Sequence, residues 1–197
     1  MSIVTLVSGG LDSTVMALLA KEELISQLPL FIDYGQLGKE RELAACRNNF
    51  RRHKLPNPRV ASIAGYGTLL SSGLTDAKKR VYEDAFLPCR NLMFLTVGAA
   101  YASQSGAGAV AIGLLDEANS LFPDQTRGFL NDAERLLERT LGTSMRVLAP
   151  LIALGKADVM AIAKAKGITD TYSCHAGTAE PCGRCVACRE YLGKEVQ

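Results

Sequence analysis

Three things are scarce in this chain of 197 residues, and each absence excludes a class of protein. No apolar run approaches the ~18 residues that a membrane-spanning helix needs, so we expect no membrane partner. Neither charge predominates, because 22 basic and 20 acidic side chains leave a net charge of +2, and a general nucleic-acid surface is not indicated. Internal repeats and low-complexity segments are missing as well, unlike in repeat or disordered proteins.

The length and composition favour one globular domain with an appendage. A chain that is 48% hydrophobic and 21% charged can bury one sizeable α/β core but not two. The first residues, MSIVTLVSGGLDS, place no basic leader before their apolar stretch, so we expect a cytoplasmic protein. Thiols stay reduced in that compartment, so clustered cysteines indicate a metal site before disulfides.

Short β-prone runs alternate with segments of helical periodicity. The strand-like runs lie at 3–7, 30–32, 60–63, 109–112 and 147–152. The helix-like segments lie at 14–21, 39–53, 91–101, 127–141 and 158–166. This alternation predicts an α/β fold with a parallel sheet of about five strands and helices on both faces. Ligands of such sheets bind beyond the carboxyl ends of the strands.

A glycine loop, SGGLDS at 8–13, connects the first predicted strand to the first predicted helix. Its glycines allow backbone N–H groups to approach an anion, Ser13 adds a hydroxyl, and the helix N-terminus adds a positive dipole end. The loop matches neither the Walker A pattern nor the dinucleotide pattern GxGxxG. These features predict a phosphate site, while a plain turn with Asp12 or Ser13 as N-cap stays open as the alternative.

Four of the six cysteines fall within fifteen residues, with the spacing C-x7-C-x2-C-x2-C. They are Cys174, Cys182, Cys185 and Cys188. Zinc takes four thiolates in a tetrahedron at ~2.3 Å, and two-residue gaps bring successive sulfurs to one centre. The spacing favours a structural zinc site in a small C-terminal tail, with an iron–sulfur cluster as the alternative. His175 is then expected to be a solvated neighbour, since four thiolates saturate zinc.

The two other cysteines are interpreted separately. Cys46 falls with Leu43 and Phe50 on the apolar stripe of the second helical segment, so we expect a core position. Cys89 is either a small packed residue or a nucleophile, for which Arg90 is the cation nearest in sequence.

The motifs together carry a resemblance to a known family. SGGLDS after an N-terminal strand resembles the SGGxDS signature of the PP-loop ATP pyrophosphatases, whose fold is adenine nucleotide α-hydrolase-like. With the C-terminal SCHAGTAEPCGRCVACR, the chain resembles the 7-cyano-7-deazaguanine synthase family within that group. Further landmarks fall in order: DYGQ at 33–36, PCRN at 88–91, FPD at 122–124 and PLIALGKAD at 150–158.

The resemblance implies an enzyme, an ATP-dependent C–N ligase. Members of the family convert 7-carboxy-7-deazaguanine, ATP and ammonia through an adenylated carboxylate to the amide and then to the nitrile. They bind one zinc ion through four cysteines and are commonly homodimers. On this basis we expect an ATP-binding domain at 1–170, a zinc-binding segment at 171–197, and the cofactors ATP, Mg²⁺ and Zn²⁺.

The resemblance also implies roles for individual residues. The pyrophosphate part of ATP is expected at the loop residues Ser8, Gly9, Gly10, Leu11, Asp12 and Ser13. Asp12, expected near magnesium, and Ser13 are expected to act in catalysis as well. Stabilising the departing pyrophosphate needs positive charge, for which Arg90 and Lys156 are the candidates. A solvated charge at a helix end is the alternative for each of these two cations.

Several positions depart from the family's pattern. Leu37 and Gly38 stand where members usually have Arg-His, and Cys89 replaces a glycine. Leu115 and Ala118 occupy the positions of a polar amide and a carboxylate. Further polar groups are replaced by Gln125, Thr126 and Gly128. Substrate contacts are therefore expected from shifted polar side chains: Asp116, Glu117, Asn119 or Asp124.

Alternative functions stay open at this point. A divergent ligase would stop at the amide, or would join the deazaguanine to another amine such as the N-terminus of a partner protein in a defence system. A nucleotide-binding interaction module without catalysis is an alternative of another class. The intact glycine loop, Lys156 and the complete cysteine set argue against the module.

Overall fold

The computed structural model describes residues 2–192 of the chain. The strands are β1 (Ser2–Val7), β2 (Ser26–Asp33), β3 (Arg59–Ser62), β4 (Ala109–Ala111) and β5 (Arg146–Leu148). The helices are α1 (Leu11–Glu22), α2 (Lys39–Arg52), α3 (Gly65–Leu69), α4 (Arg90–Gln104), α5 (Arg127–Leu141), α6 (Lys156–Ala165) and α7 (Val186–Tyr191). Two short 3-10 turns lie at Glu117–Asn119 and Pro123–Gln125.

The five strands form one parallel sheet in the order β3-β2-β1-β4-β5. The central strand β1 pairs with β2 on one side and with β4 on the other, so that Ile3 lies opposite both Gln27 and Ala109. The chain order runs outward in opposite directions on the two sides of β1. Such a switch point leaves a crevice at the carboxyl ends of the strands, which is where doubly wound folds bind ligands.

Two apolar layers cover the two faces of the sheet. Alternate side chains of β1 point to opposite faces, with Ile3 and Val7 in one layer and Val4 and Leu6 in the other. Helices α1, α2 and α6 pack on the first face, and α4 and α5 pack on the second. The predicted α/β fold, with five parallel strands and helices on both faces, is confirmed. Cys46 is fully buried in the first layer, as predicted.

Some boundaries differ from those predicted. Strand β5 ends at Leu148 rather than near residue 152, because Pro150 has no N–H to donate to a neighbouring strand. Helix α6 begins earlier than predicted, at Lys156, where Gly155 donates its N–H to the Asp158 carboxylate at 2.9 Å. Within residues 2–192, every helix is too short or too polar to cross a bilayer.

Candidate active site

A cavity of about 280 Å³ opens at the carboxyl edge of the sheet. Its walls come from the glycine loop after β1, from Tyr34 and Gln36 after β2, from Gly113 and Leu114 after β4, and from the C-terminal segment. This is the crevice that the strand order creates. We call residues 8–13 the phosphate loop and residues 171–192 the cysteine segment.

The phosphate loop is held by its own hydroxyl groups. The Ser13 hydroxyl accepts from the Ser8 N–H at 3.2 Å and donates to the Gly10 carbonyl at 3.3 Å. Helix α1 has Gly10 as its N-cap and no side-chain cap, so the alternative in which Asp12 or Ser13 caps the helix was wrong. Leu11 is buried in the core and offers only its backbone N–H to a ligand. The uncapped N–H groups at the start of α1 are therefore available to an anion.

Gly9 fixes the loop against α2. Its φ of +81° lies in the left-handed region, and a Cβ there would stand 2.1 Å from the carbonyl oxygen of Glu42. The Gly9 carbonyl also accepts from the N–H of Tyr172 at 3.0 Å. No side chain fits at position 9, because the backbones of the phosphate loop, α2 and the cysteine segment meet there.

Lys156 joins three parts of the chain at the edge of the cavity. Its ammonium group lies 3.0 Å from both carboxylate oxygens of Asp12 and 3.2 Å from Oε2 of Glu190. It also lies 4.8 Å from the centre of the Tyr191 ring. Burial lowers the pKa of Lys156, but the charges of Asp12 and Glu190 outweigh burial and raise it. Lys156 therefore stays charged beside the phosphate loop and is not a solvated helix-end charge.

Arg90 begins α4 and lies in the cavity wall, 5.9 Å from the centre of the Phe94 ring. Its Nε is buried and has no hydrogen-bond partner among the described residues. A buried donor without a protein partner is costly, so this atom has capacity for a ligand oxygen. Cys89 precedes Arg90 with a φ of 58° and is exposed, so the interpretation of Cys89 as a packed residue was wrong.

Glu42 adds a carboxylate to the cavity that the sequence analysis missed. Its Oε2 accepts from Nε2 of Gln36 at 3.0 Å, and the side chain lines the cavity. Burial raises the pKa of Glu42 to about 7, against smaller opposing effects of Gln36 and Arg90. A signal was present in the sequence, because Glu42, Cys46 and Phe50 share one helical face at spacings of four, and this face is otherwise buried.

Glu42 should make stability depend on pH. Because its pKa is raised on folding, the folded chain binds the proton more tightly than the unfolded one. The contribution of Glu42 to the free energy of unfolding is therefore fully present below about pH 4.5 and is lost as the pH rises to about 7. In the wild type, ionisation of Glu42 should lower the free energy of unfolding by about 2 kcal/mol over this range, after allowance for solvent in the open cavity. Glu42→Gln cannot ionise and should not show this decrease. Urea unfolding of the wild type and the variant at pH 5, 6, 7 and 8 measures this difference in the free energy of unfolding.

Glu40→Gln is the matched control, because Glu40 lies on the same helix with its side chain 83% exposed. That variant should keep the pH dependence of the wild type. If Glu42→Gln and Glu40→Gln show the same dependence of the free energy of unfolding on pH, burial does not raise the pKa of the Glu42 carboxyl.

His175 lies in the cavity wall rather than in solvent. Its Nδ1 is buried without a partner among the described residues, and the ring lines the cavity. Burial, together with the nearby charges of Arg90 and Lys156, lowers its pKa to about 4. The ring is therefore neutral at physiological pH, and the prediction of a solvated neighbour was wrong.

The segment at 115–128, which follows β4 and holds several of the departures from the family's pattern, uses its carboxylates to bind backbone N–H groups, two of its own and one of α4. Asp116 accepts from the Ala118 N–H at 2.9 Å, Glu117 accepts from the Arg127 N–H, and Asp124 accepts from the Asn91 N–H at 3.3 Å. These three acidic side chains do not line the cavity, whereas Leu114, Phe122 and Gln125 do. The expected substitute contacts from Asp116, Glu117 and Asp124 are therefore not found in the cavity wall.

The four clustered cysteines form a site that can hold a metal ion. Every Sγ lies within 4.8 Å of the other three. A zinc tetrahedron with bonds of ~2.3 Å has edges of about 3.8 Å, so small movements of the side chains would complete it. Burial raises the pKa of Cys174, but hydrogen bonds from Thr178 and from the Cys182 backbone outweigh it and lower the pKa to about 6. The donor set suits a thiophilic ion.

Comparisons with known proteins agree with the geometry. A family model described as "Queuosine biosynthesis protein QueC" matches residues 2–192. The chain is 31% identical over 198 residues to a 7-cyano-7-deazaguanine synthase of Nautilia profundicola, covering 94% of this chain and 89% of that protein. A protein of the same name from Campylobacter concisus is 32% identical over 203 residues, covering 94% and 90%.

A solved structure shares the fold at much lower sequence identity. The U34-tRNA thiolase NcsA from Methanococcus maripaludis, solved with its 4Fe-4S cluster, superposes with a TM-score of 0.57. The match has 14% identity and covers 98% of this chain and 64% of that one. At this identity the similarity concerns the fold alone.

Proposed function

Because the chain belongs to the QueC family of queuosine biosynthesis proteins, we propose that it converts 7-carboxy-7-deazaguanine to its nitrile with ATP and ammonia. The observation that carries the proposal is the meeting of the phosphate loop, Lys156 and Arg90 around one cavity. Relatives named as synthases over nearly the whole chain favour this function over an amide-forming variant or a non-catalytic module.

Adenylation is the first step of the proposed reaction. A carboxylate is a poor electrophile, so one of its oxygens attacks the α-phosphorus of ATP and pyrophosphate leaves. The backbone N–H groups of the phosphate loop and the Ser13 hydroxyl hold the leaving group, and Lys156 neutralises its charge. Arg90, with its buried unpartnered Nε, is placed to orient a carboxylate or a phosphate oxygen.

Amide and nitrile formation follow at the same centre. Ammonia attacks the adenylated carbonyl carbon, AMP leaves, and a proton is lost, which gives the amide. A second ATP adenylates the amide oxygen, and loss of AMP and a proton gives the nitrile. The activated intermediates need protection from water. Phe122 supplies an apolar wall, and its ring packs 5.2 Å from that of Phe86.

Recognition of the base would come from polar groups of the cavity wall that the family comparison did not single out. The buried Glu42 carboxylate has an oxygen, Oε1, that Gln36 does not occupy, and it is suited to accept from the N–H edge of a deazaguanine. An unpaired donor on a buried base costs about 1–3 kcal/mol, so such an acceptor is needed in place of the polar residues replaced at Leu115 and Ala118.

Zinc is the proposed metal of the cysteine segment, held by Cys174, Cys182, Cys185 and Cys188. A closed set of four thiolates would supply structural stability and leave no open position for chemistry. Sulfurs within 4.8 Å of one another suit one ion better than a cluster, whose several irons and sulfides spread the thiolates apart.

Further features of the proposal rest on the family resemblance and on general chemistry. Magnesium would accompany ATP, with Asp12 beside it, because a carboxylate next to phosphate oxygens is the usual magnesium site. We propose an ATP-binding domain at 1–170 with the zinc segment at 171–197, a homodimer, and a cytoplasmic location, where reduced thiols favour metal binding. Light scattering of the purified protein tests the dimer.

The experiment mixes purified protein with Mg-ATP, ammonium and 7-carboxy-7-deazaguanine and follows AMP and the product by mass spectrometry. We expect AMP only when the carboxylate is present, and a final product that is the nitrile. Omission of ammonium should leave adenylation intact but stop the amide. Absence of carboxylate-dependent AMP from folded, metal-loaded protein would refute the proposed function, and accumulation of amide alone would limit it to the first half.

A further inference from the structure

We propose that Glu190 is a positioning residue that holds Lys156 at the phosphates of ATP, so that the cysteine segment takes part in nucleotide binding. The inference rests on the proposed function of Lys156. Zinc would hold the four cysteines, whereas Glu190 acts through its own carboxylate, two residues after the last of them. The segment would then have a second role besides stabilising the fold.

The contacts of Lys156 come from two separate elements, α1 and α7. Asp12, on α1, binds the ammonium through both carboxylate oxygens at 3.0 Å. Glu190 and Tyr191, on α7, bind it from the cysteine segment, at 3.2 Å to Oε2 and 4.8 Å to the ring centre. The Lys156 side chain is only 16% exposed and the Glu190 side chain 33%, so the contact is shielded from solvent.

The difference between the two carboxylates appears when ATP binds. An ammonium has three N–H donors, of which Asp12 engages two. Phosphate oxygens compete for these two donors, and Asp12 lies in the phosphate loop beside the incoming charge. Glu190 lies outside the loop, so its hydrogen bond can persist. That one contact would restrict a long lysine chain that otherwise loses much rotamer freedom on binding a phosphate.

The path of the cysteine segment brings α7 to the cavity. The segment is fixed to the loop by the hydrogen bond from the Tyr172 N–H to the Gly9 carbonyl at 3.0 Å. The cysteines then turn the chain so that α7 returns to the cavity, where Val186, Ala187 and Glu190 form part of the wall. Loss of the Glu190 carboxylate should free Lys156 without loss of the metal, because Glu190 is not one of the four clustered cysteines.

The test compares Glu190→Ala and Glu190→Gln with Glu180→Gln as the matched control. Glu180 lies in the same segment, is exposed, and forms no ion pair with another described residue. Three quantities are measured on metal-loaded protein: affinity for a non-hydrolysable ATP analogue by calorimetry, reactivity of Lys156 with trinitrobenzenesulfonate by peptide mass spectrometry, and metal content.

We expect Glu190→Ala to weaken binding of the analogue by about tenfold or more, as for loss of a charge-assisted hydrogen bond, and to increase the reactivity of Lys156. Glu190→Gln, which keeps an acceptor but no charge, should give a smaller change in both. Metal content should stay at the wild-type value. In turnover, KM for ATP should rise more than kcat falls.

The inference is overturned if Glu190→Ala keeps wild-type affinity for the analogue and wild-type protection of Lys156. Should Glu190→Ala lose metal, the nearly isosteric Glu190→Gln decides by the same two measurements. Neither measurement depends on product formation. A wild type that binds the analogue but makes no AMP therefore contradicts the proposed function, while the role of Glu190 is judged separately.

Discussion

Lys156→Met should reduce the rate of carboxylate-dependent AMP formation by about 100-fold or more. The substitution keeps an unbranched side chain of nearly the same length but removes the charge that lies 3.0 Å from Asp12 at the edge of the cavity. Pyrophosphate leaves with its negative charge increasing, and one preorganised donor at such a charge contributes about 2.7–4 kcal/mol to the barrier in well-studied enzymes. Single-turnover measurement of AMP separates this step from product release.

Lys166→Met is the matched control for this prediction. Lys166 follows the same helix and pairs with Glu22 at 2.5 Å, but it does not line the cavity. It should keep the wild-type rate. If both methionine variants are equally active, Lys156 has no part in stabilising the leaving group, and the phosphate loop must do so alone.

Cys185→Ser should abolish binding of the metal and lower the thermal midpoint by about 10 °C or more. Cys185 is the fully buried member of the cluster, and its Sγ accepts from the Cys188 N–H at 3.4 Å. A structural metal contributes free energy of folding directly, and several kcal/mol correspond to such a shift in a chain of this size. Elemental analysis and calorimetry measure both effects.

Cys89→Ser controls for the loss of a thiol, because Cys89 is exposed and outside the cluster. It should keep the metal and the midpoint of the wild type. A strong chelator should reproduce the effect of Cys185→Ser in the wild type and add nothing to the variant. Full stability after complete removal of the metal would contradict a structural role.

Much of the fold could be predicted from local patterns. The helix at 127–141 was predicted to the residue because Leu130, Leu137 and Leu141 recur at helical spacing. In the structure Gly142, with a φ of +67°, ends the helix. Strand β2 is longer than predicted and starts at Ser26, since pairing with β1 extends it beyond its apolar part. Periodicity reports which face is buried, whereas strand ends are set by the neighbouring strand.

The candidate site was predictable where a motif carried it. The phosphate loop and the four cysteines are continuous in sequence, so their spacing was sufficient to find them. Glu42, His175 and Glu190 face the cavity only because separate elements pack together there. Helix α7, which presents Glu190, was missed because a helix of six residues is too short to show a hydrophobic period in the sequence.

The backbone at Cys89 has a practical consequence for experiments on ligand binding. Of the six cysteines, all of which lie within the described residues, Cys89 is the one that is exposed. Its left-handed conformation turns the chain immediately before Arg90, which lines the cavity. In metal-loaded protein, where the clustered thiolates are held by the ion, a maleimide fluorophore would therefore attach at one defined position next to a residue of the cavity wall, and its emission would report nucleotide binding without an engineered cysteine.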